Sequence, residues 1–335
     1  STTEVIRSLE PTITAWMTEA TPTSESYADH PPICDIDSLP PKALIFTISL
    51  VGLTGNASVI WFLGLRMRRN AFYTYILNLA VADFLYLCFH ITDVLLEVIR
   101  IILPIHIPTY GIIRTGAIIF YIAGLSMLST ISTERCLSVL WPIWYHCHRP
   151  RHTSAIMCAL LWCLSIVLST MEIVCFFHFN EAIDQCKNVE FTIAAWLVLL
   201  FVILSVSSLS LLGRMLCGSQ KKPLNRLFVT IMLTVLVFLF CGLPFGVFFF
   251  LYYWIDNNYH VRFCLYLVSI ILSNVNSSTN PIIYFFVGSY RQRAQGWNLK
   301  LVLERALQDT PEEGECGGSL PQGTLETSEG RVEQG

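Results

Sequence analysis

Seven stretches of the chain are long enough and apolar enough to cross a lipid bilayer, and this pattern restricts the fold more than any other feature. The hydrocarbon core of a bilayer is about 30 Å thick, which a helix of about 20 apolar residues crosses. Charged residues make up 13% of the chain, about half the fraction usual in soluble proteins. We predict spans one to seven at residues 43–65, 71–93, 115–139, 154–177, 191–213, 227–255 and 263–287.

The spans are predicted to be helices. They are apolar on all faces, whereas the strands of a membrane barrel alternate apolar and polar residues in segments of about ten. The stretch 101–113 is also apolar, but it is too short to cross and carries Pro104 and Pro108, so we predict a loop there. The predicted fold class is an all-α membrane protein, a seven-transmembrane helix bundle with a short amphipathic C-terminal helix.

The segments outside the bundle differ from it in composition. Residues 1–41 are rich in Ser, Thr, Pro and acidic residues, which predicts a disordered tail without a cleavable signal peptide. The bundle itself occupies 42–288. Residues 289–309 place apolar side chains at helical spacing beside basic ones, which indicates an amphipathic helix on the membrane lipid. Residues 310–335, rich in Gly, Glu and Ser, predict a second disordered tail.

The basic residues predict the orientation. The second, fourth and sixth connections hold few basic residues, among them Arg100, Lys187 and Arg262, whereas the first, third and fifth hold clusters. Because basic connections stay in the cytoplasm, we expect an extracellular N-terminus in a multi-pass protein of the plasma membrane.

Ionisable side chains at membrane depth are costly unless they are paired or hydrated, so each is a candidate functional residue. Asp83 lies in the middle of span two. Spans one and seven add further polar side chains: Asn56, Asn276, Ser277 and Asn280. This group is interpreted either as a hydrogen-bond network that holds the helices together or as the polar core of a switch with a sodium site.

Glu134 and Arg135 place opposite charges side by side at the end of span three. Arg135 can extend to the interface, and Glu134 can offset its charge. The pair either anchors the helix or forms a latch, in which Arg135 is held by Glu134 or released to a partner.

Two spans contain residues that weaken a helix. Pro281 removes a backbone hydrogen bond in span seven, and Asn280 is predicted to fill the gap. Span six holds Gly242 and Pro244 close together. We expect both places to act as hinges.

Several motifs together resemble those of the rhodopsin-like G-protein-coupled receptors. They are Gly55-Asn56, Leu79-Ala80-Val81-Ala82-Asp83, Glu134-Arg135-Cys136, Trp162, Pro244 and Asn280-Pro281-Ile282-Ile283-Tyr284. Within that class, the stretches "STERCLSVLWPIWY" and "NPIIYFFVGSYRQR" are similar to those of the Mas-related receptors of sensory neurons and mast cells. The resemblance covers residues 42–310.

The chain also departs from the class pattern. Cys136 follows the arginine where the class has Tyr, and Gly242 stands where the class has Trp. Gly124 replaces a serine that commonly completes the sodium site, and no acid lies near Arg226 to hold Arg135 from span six. These departures predict weak sodium binding and a readily activated receptor.

The resemblance implies a mechanism and partners. A ligand shifts the outer ends of spans three to six, the hinges transmit the shift, and Arg135 is exposed to a G protein, Gq or Gi, with arrestin as a further partner. The residues implied in this switch are Glu134, Arg135, Cys136, Gly242, Pro244, Asn280, Pro281 and Tyr284.

Four cysteines are expected on the extracellular side, Cys34, Cys175, Cys186 and Cys264, and they permit three pairings. The resemblance implies a disulfide between Cys175 and Cys186. Cys34 and Cys264 are then left as a second pair.

The resemblance also implies an acidic outer pocket. Glu172 and Glu190 occupy positions that hold ligand cations in Mas-related receptors, and Tyr121 and Phe249 fall at the pocket wall, where a ring can stack on a guanidinium. The expected agonists are cationic peptides or amphiphilic cationic small molecules, with itch, nociceptive or mast-cell signalling as the output.

Other classes of protein fit less well. Span three has no outer aspartate for an aminergic ligand, and span seven has no lysine for retinal. A transporter or channel with seven helices and no G-protein coupling is the alternative, but we find no internal repeat. No motif indicates an enzyme, a cofactor, a bound metal beyond the sodium site, or a nucleic-acid partner.

Overall fold

The computed structural model describes residues 39–65, 71–103, 110–150, 152–178, 183–217, 226–251 and 259–289, and within these ranges it contains helices and no strand. The predicted N-terminal tail up to residue 38, the amphipathic helix beyond Ser289 and the C-terminal tail lie outside the described residues.

Each of the seven predicted spans is a helix in the structure. Spans one to five are Leu39–Leu65, Ala71–Ile102, Tyr110–Leu140, Thr153–His178 and Ile183–Cys217, and span seven is Tyr259–Ser289. Span six has three parts, Arg226–Val237, Phe238–Gly242 and Leu243–Leu251. A short helix at Pro142–Cys147, here the loop helix, follows span three. Six of these helices are long and apolar enough to cross a membrane, and the apolar part of span six is Met232–Phe248. The predicted helical membrane fold is confirmed.

The loop predicted at 101–113 is shorter than expected. Span two continues through Ile102, where the amide of Leu103 still donates to the carbonyl of Ile99 at 2.7 Å, and span three already begins at Tyr110. The prediction was therefore wrong for the two ends of this stretch. An apolar helix need not stop at the bilayer surface, and a proline restricts only itself and the residue before it.

Span three lies at the centre of the bundle. Its apolar window is 72% buried, against 44% or less for the corresponding windows of the other spanning helices described. It packs against spans two, four and five. We call the end of the bundle where span one begins the N-terminal face, and the opposite end, which carries the loop helix, the C-terminal face. Functional side chains on span three are therefore surrounded by most of the other helices.

Spans one and seven approach each other closely because span one carries glycines at the contact. A β-carbon at Gly52 would collide with the hydroxyl oxygen of Ser278, and one at Gly55 would lie 3.0 Å from Cβ of Pro281. At the N-terminal face, Nζ of Lys42 forms an ion pair with Oε1 of Glu97 at 2.8 Å, which joins spans one and two. The two glycine contacts fix the position of span seven, which carries much of the polar core.

Gly52→Ala is expected to destabilise the folded protein by roughly 1–3 kcal/mol, because the added methyl group overpacks the contact with Ser278. Gly64→Ala is the matched control, since a β-carbon at Gly64 meets nothing within 4 Å. Thermal unfolding in detergent should show a clear decrease in melting temperature for Gly52→Ala alone. Equal melting temperatures of the two variants would contradict the close approach.

Candidate functional site

The buried polar residues of spans one, two and seven form one connected network. Nδ2 of Asn280 donates to Oδ2 of Asp83 at 2.8 Å, and the hydroxyl of Ser277 also bonds to this carboxylate. Nδ2 of Asn56 donates to the carbonyls of Gly52 and Ser277, both at 3.0 Å. Three spans are thus held by side chains that would be costly to bury alone. The amide of Asn280 was predicted to fill the gap beside Pro281, and it instead binds Asp83.

The surroundings of Asp83 do not fit a sodium site. Asn280 and Ser277 act as hydrogen-bond donors to the carboxylate. On span three, Gly124 faces Asp83, since a β-carbon there would lie 3.4 Å from Oδ1, and glycine brings no side-chain oxygen. Hard cations are held by several oxygen ligands. Among the described residues, the arrangement is that of a hydrogen-bonded carboxylate, and we derive no step through sodium.

Span six contains a π-helical segment at Phe238–Gly242, immediately before Pro244. The amide of Leu243 donates to the carbonyl of Phe238, five residues back, and Pro244 has no amide hydrogen to donate. Such single π-turns inside α-helices are frequent at functional positions. The segment coincides with the stretch that the sequence predicts to be weak.

Gly242 brings spans three, six and seven together. Its carbonyl accepts a hydrogen bond from the hydroxyl of Tyr121 on span three at 2.8 Å. A β-carbon on Gly242 would lie 3.2 Å from Oδ1 of Asn276 on span seven, so a larger residue would push these helices apart. The lack of a side chain at this position therefore allows the contact between the two predicted hinge spans.

Tyr121 is part of the core in this structure. Its side chain is 6% exposed, and its ring lies edge-on against Phe245 with centroids 4.8 Å apart. The resemblance implies that Tyr121 lies at a pocket wall, which stays a prediction, and the structure shows its ring packed between spans three and six. The side chain of Phe249, its predicted neighbour at the wall, lies outside the described residues.

Glu134 does not pair with Arg135 in this structure, so the observed arrangement is not the one in which Glu134 holds Arg135, and the latch stays a prediction. Oε1 of Glu134 binds Nη2 of Arg149 at 2.9 Å and accepts a hydrogen bond from the hydroxyl of Tyr75 at 3.0 Å. The same Nη2 of Arg149 donates to the hydroxyl of Ser154 at 2.8 Å. Neighbouring residues on a helix point about 100° apart, so Glu134 contacts Tyr75 of span two and Arg149, whereas the guanidinium of Arg135 lies over Phe72, nearer the start of span two.

Tyr145 in the loop helix also takes part in this cluster. Burial and the charge of Glu134 raise the pKa of Tyr145 to about 12. Burial opposes the charge of Arg149, yet Tyr145 and Glu134 raise the pKa of its guanidinium above the ordinary value. Both groups therefore keep their usual protonation states throughout the physiological range, with Arg149 cationic and Tyr145 neutral.

Arg135 is buried without an ion pair among the described residues. Its guanidinium carbon lies 3.2 Å from the centroid of the Phe72 ring. Its side chain is 5% exposed, and Nε and Nη2 have no hydrogen-bond partner. A cation over a ring is stabilised by about 0.5–2 kcal/mol, less than the several kcal/mol that desolvating an ion costs. The guanidinium is thus poised to bind an acceptor that reaches it.

Two of the other predicted switch residues, Cys136 and Tyr284, lie near Arg135 at the C-terminal face. Cys136 is buried, and its thiol forms a hydrogen bond with Ser210 of span five. Tyr284 of span seven lines a cavity of about 20 Å³ together with Phe72 and Leu128, which is room for about one water molecule. The structure therefore brings Arg135, Cys136 and Tyr284 into one region.

Glu172 and Glu190 are close together at the N-terminal face. Both are half-buried, on spans four and five, and both act electrostatically on the thiol of Cys175. Span five begins at Ile183, eight residues before its predicted start, so Glu190 is held on a helix. The predicted acidic pair is thereby placed on two neighbouring helix ends.

The disulfide predicted between Cys175 and Cys186 is not formed in the structure. Both are free thiols, and the two side chains are joined by a hydrogen bond. Each thiol lies at the end of its own helix. The two sulfur atoms are not joined at the distance of about 2 Å that a disulfide bond requires. Cys264 is disulfide-bonded, while Cys34, its predicted partner, lies outside the described residues.

The sequence singled out none of three residues of these clusters, namely Arg149, Tyr75 and the disulfide-bonded Cys147. Nε1 of Trp162 donates to Oδ1 of Asn78 at 3.0 Å, a contact that needs spans two and four to be adjacent. No pattern within one helix signals these partners.

The chain is similar to proteins of known family along nearly its whole length. Residues 55–284 match the family model described as 7 transmembrane receptor (rhodopsin family). Mas-related G-protein coupled receptor member X2 of Macaca mulatta is 53% identical over 327 residues, which cover 96% of this chain and 98% of the relative. Member X1 of Homo sapiens is 54% identical over 329 residues, 97% of this chain and 100% of the relative.

Tyr121→Phe is expected to loosen the π-helical segment, because it removes the hydrogen bond to Gly242 and keeps the ring. The loss of one such bond costs about 0.5–1.5 kcal/mol. Deuterium exchange of residues 238–246 should become faster. Tyr86→Phe is the matched control, since its hydroxyl bonds to Ser273 of span seven at 2.9 Å, and it should leave residues 238–246 unchanged. The same exchange rate in both variants would contradict the role of the Tyr121 bond.

Proposed function

The chain belongs to the rhodopsin family of seven-transmembrane receptors and, within it, to the Mas-related G-protein coupled receptors, and we propose that it detects extracellular cations and activates a G protein. The proposed agonists are cationic peptides or amphiphilic cationic small molecules. The proposed transducers are Gq and Gi, with arrestin binding afterwards. The N-terminal face is then extracellular and the C-terminal face cytoplasmic, in the plasma membrane.

One observation carries the proposed ligand class, namely the position of Glu172 and Glu190. Two half-buried carboxylates on neighbouring helix ends act on the same thiol. Like charges that share a partly desolvated site are stabilised by a cation between them. A ligand with an ammonium or guanidinium group fits this pair, and binding there acts on the ends of spans four and five.

The C-terminal face supports the proposed partner. Arg135 has two buried nitrogens without hydrogen-bond partners among the described residues, and an acceptor from a G protein would satisfy them. The loop helix adds an apolar surface beside it, where Ile143 is 78% exposed and Trp144 is 50% exposed. A buried cation next to exposed apolar side chains is suited to a helix that ends in a carboxylate or backbone carbonyls.

The bonds around Gly242 supply a route between the two faces. The π-helical segment and Pro281 interrupt spans six and seven, so each can bend without breaking many hydrogen bonds. Tyr121 joins this region to span three. A ligand that favours one arrangement of the spans shifts the population of receptor that exposes Arg135.

The transporter or channel alternative gains no support, since the relatives compared are named as receptors. We propose that the cellular role is itch, nociceptive or mast-cell signalling, as the sequence resemblance implies. A calcium-release screen of basic peptides and amines on cells expressing the chain tests both the ligand class and the coupling.

Glu172→Gln combined with Glu190→Gln is expected to weaken a cationic agonist by roughly 100-fold or more in half-maximal concentration, because each removed charge loses a charge-assisted bond of about 1.5–3 kcal/mol. Glu97→Gln, at equal surface expression, is the control. Glu97 is an acid of the same face whose carboxylate binds Lys42. Undiminished potency in the double variant would exclude the acidic pair as the ligand site.

Arg135→Gln is expected to abolish G-protein nucleotide exchange, both with agonist and without, while agonist binding remains, because the partner loses its buried cation. Arg214→Gln removes an exposed charge from the same face and should leave nucleotide exchange unaltered. Nucleotide exchange in reconstituted membranes and binding of a labelled agonist separate the two effects. Full exchange in the Arg135 variant would show that this residue is not the contact.

A further inference from the structure

Glu134 is a single carboxylate with more than one cation in reach. Its Oε1 binds Arg149 at 2.9 Å, and both side chains are about nine-tenths buried. The hydroxyl of Tyr75 donates to the same oxygen. The other oxygen, Oε2, is buried and has no hydrogen-bond partner among the described residues. The carboxylate thus has one occupied and one vacant acceptor.

Arg135 is the competing cation. It follows Glu134 directly in span three and lies within electrostatic reach of it, yet the described ion pairs of this carboxylate include only Arg149. Nε and Nη2 of Arg135 have no hydrogen-bond partner within the part of the chain that the structure describes, and its guanidinium lies over the ring of Phe72. Two donors without a partner among the described residues therefore belong to the residue that follows a carboxylate with a vacant oxygen. The two groups can pair only if one of the side chains leaves its present contacts, Arg149 for Glu134 or Phe72 for Arg135.

We propose that Arg149 is a positioning residue, which holds Glu134 away from Arg135 and thereby keeps Arg135 available to the G protein. This inference rests on the proposed function, because it assigns regulation to the same cytoplasmic site. Arg149 comes from the connection after the loop helix and not from a spanning helix. A contact made by that connection therefore determines whether Arg135 of span three is available to the G protein.

The geometry also couples Arg149 to the loop helix. Its guanidinium carbon lies 4.9 Å from the centroid of the Tyr145 ring, and its Nη2 bonds to Ser154 at the start of span four. Arg149 therefore links Glu134, the loop helix and span four. Without it, the loop helix loses one of its side-chain contacts with Glu134, and Glu134 becomes free to bind Arg135.

A double-mutant cycle tests the proposal. Arg149→Gln should lower ligand-free and agonist-driven nucleotide exchange by about fivefold or more, because Glu134 then captures Arg135. Glu134→Gln should raise ligand-free exchange, and Arg149→Gln should have no further effect in that background. Arg149→Lys, which keeps the charge, should restore most of the exchange. Arg151→Gln removes a basic residue two positions away and serves as the control.

Equal losses from Arg149→Gln in the wild-type and Glu134→Gln backgrounds would overturn the proposal, because Arg149 would then act by itself on the G protein. An unchanged or increased exchange in Arg149→Gln would also overturn it.

Deuterium exchange in detergent provides a measurement that does not depend on coupling to a G protein. Arg149→Gln should speed exchange of residues 141–148, Arg151→Gln should not, and Arg149→Gln should add nothing in the Glu134→Gln background. If no G protein responds to the wild-type chain, the proposed function fails, while this arm still tests the link between Arg149 and Glu134. Unchanged exchange in Arg149→Gln would refute that link.

Discussion

The structure depends on one constraint, which is that a polar group buried in an apolar bundle must find its partner within the bundle. Bilayer lipid supplies no hydrogen bonds, and an unpaired polar group there costs several kcal/mol. Asp83 meets this requirement through Asn280 and Ser277, and Asn56 through two backbone carbonyls. Because these partners come from different spans, satisfying them also fixes how spans one, two and seven are arranged.

Glycine makes this arrangement possible in two places. At Gly52 span one approaches Ser278, and at Gly242 span six approaches Asn276 of span seven. The second contact coincides with the π-helical segment and with the carbonyl that accepts the bond from Tyr121. A helix that is already interrupted there can change its bend by exchanging one or two bonds. The same residues therefore stabilise the bundle and give it a place to move.

The charged side chains at the C-terminal face also need partners within the bundle, but there the carboxylate of Glu134 has an ion pair and the guanidinium of Arg135 has none among the described residues. One oxygen of Glu134 is held by Arg149 and Tyr75, and Arg135 is left with an aromatic ring as its neighbour. A family pattern read along the chain suggests that adjacent opposite charges neutralise each other. In the folded chain the carboxylate is closer to a cation fifteen residues away, because the loop helix returns Arg149 to the end of span three.

The sequence by itself determined the membrane fold, since length and hydropathy are properties of each segment and do not depend on its neighbours. It also determined which residues are exceptional for a membrane helix, among them Asp83, Arg135, Gly242 and Pro281. Only the tertiary structure decided which residues are partners. Asn280 donates to Asp83 and does not fill the gap at Pro281, Tyr121 donates to Gly242 within the core, and the thiols of Cys175 and Cys186 are hydrogen-bonded. A hydrogen bond or ion pair depends on ångström distances between helices, and the pattern within one helix does not carry that information.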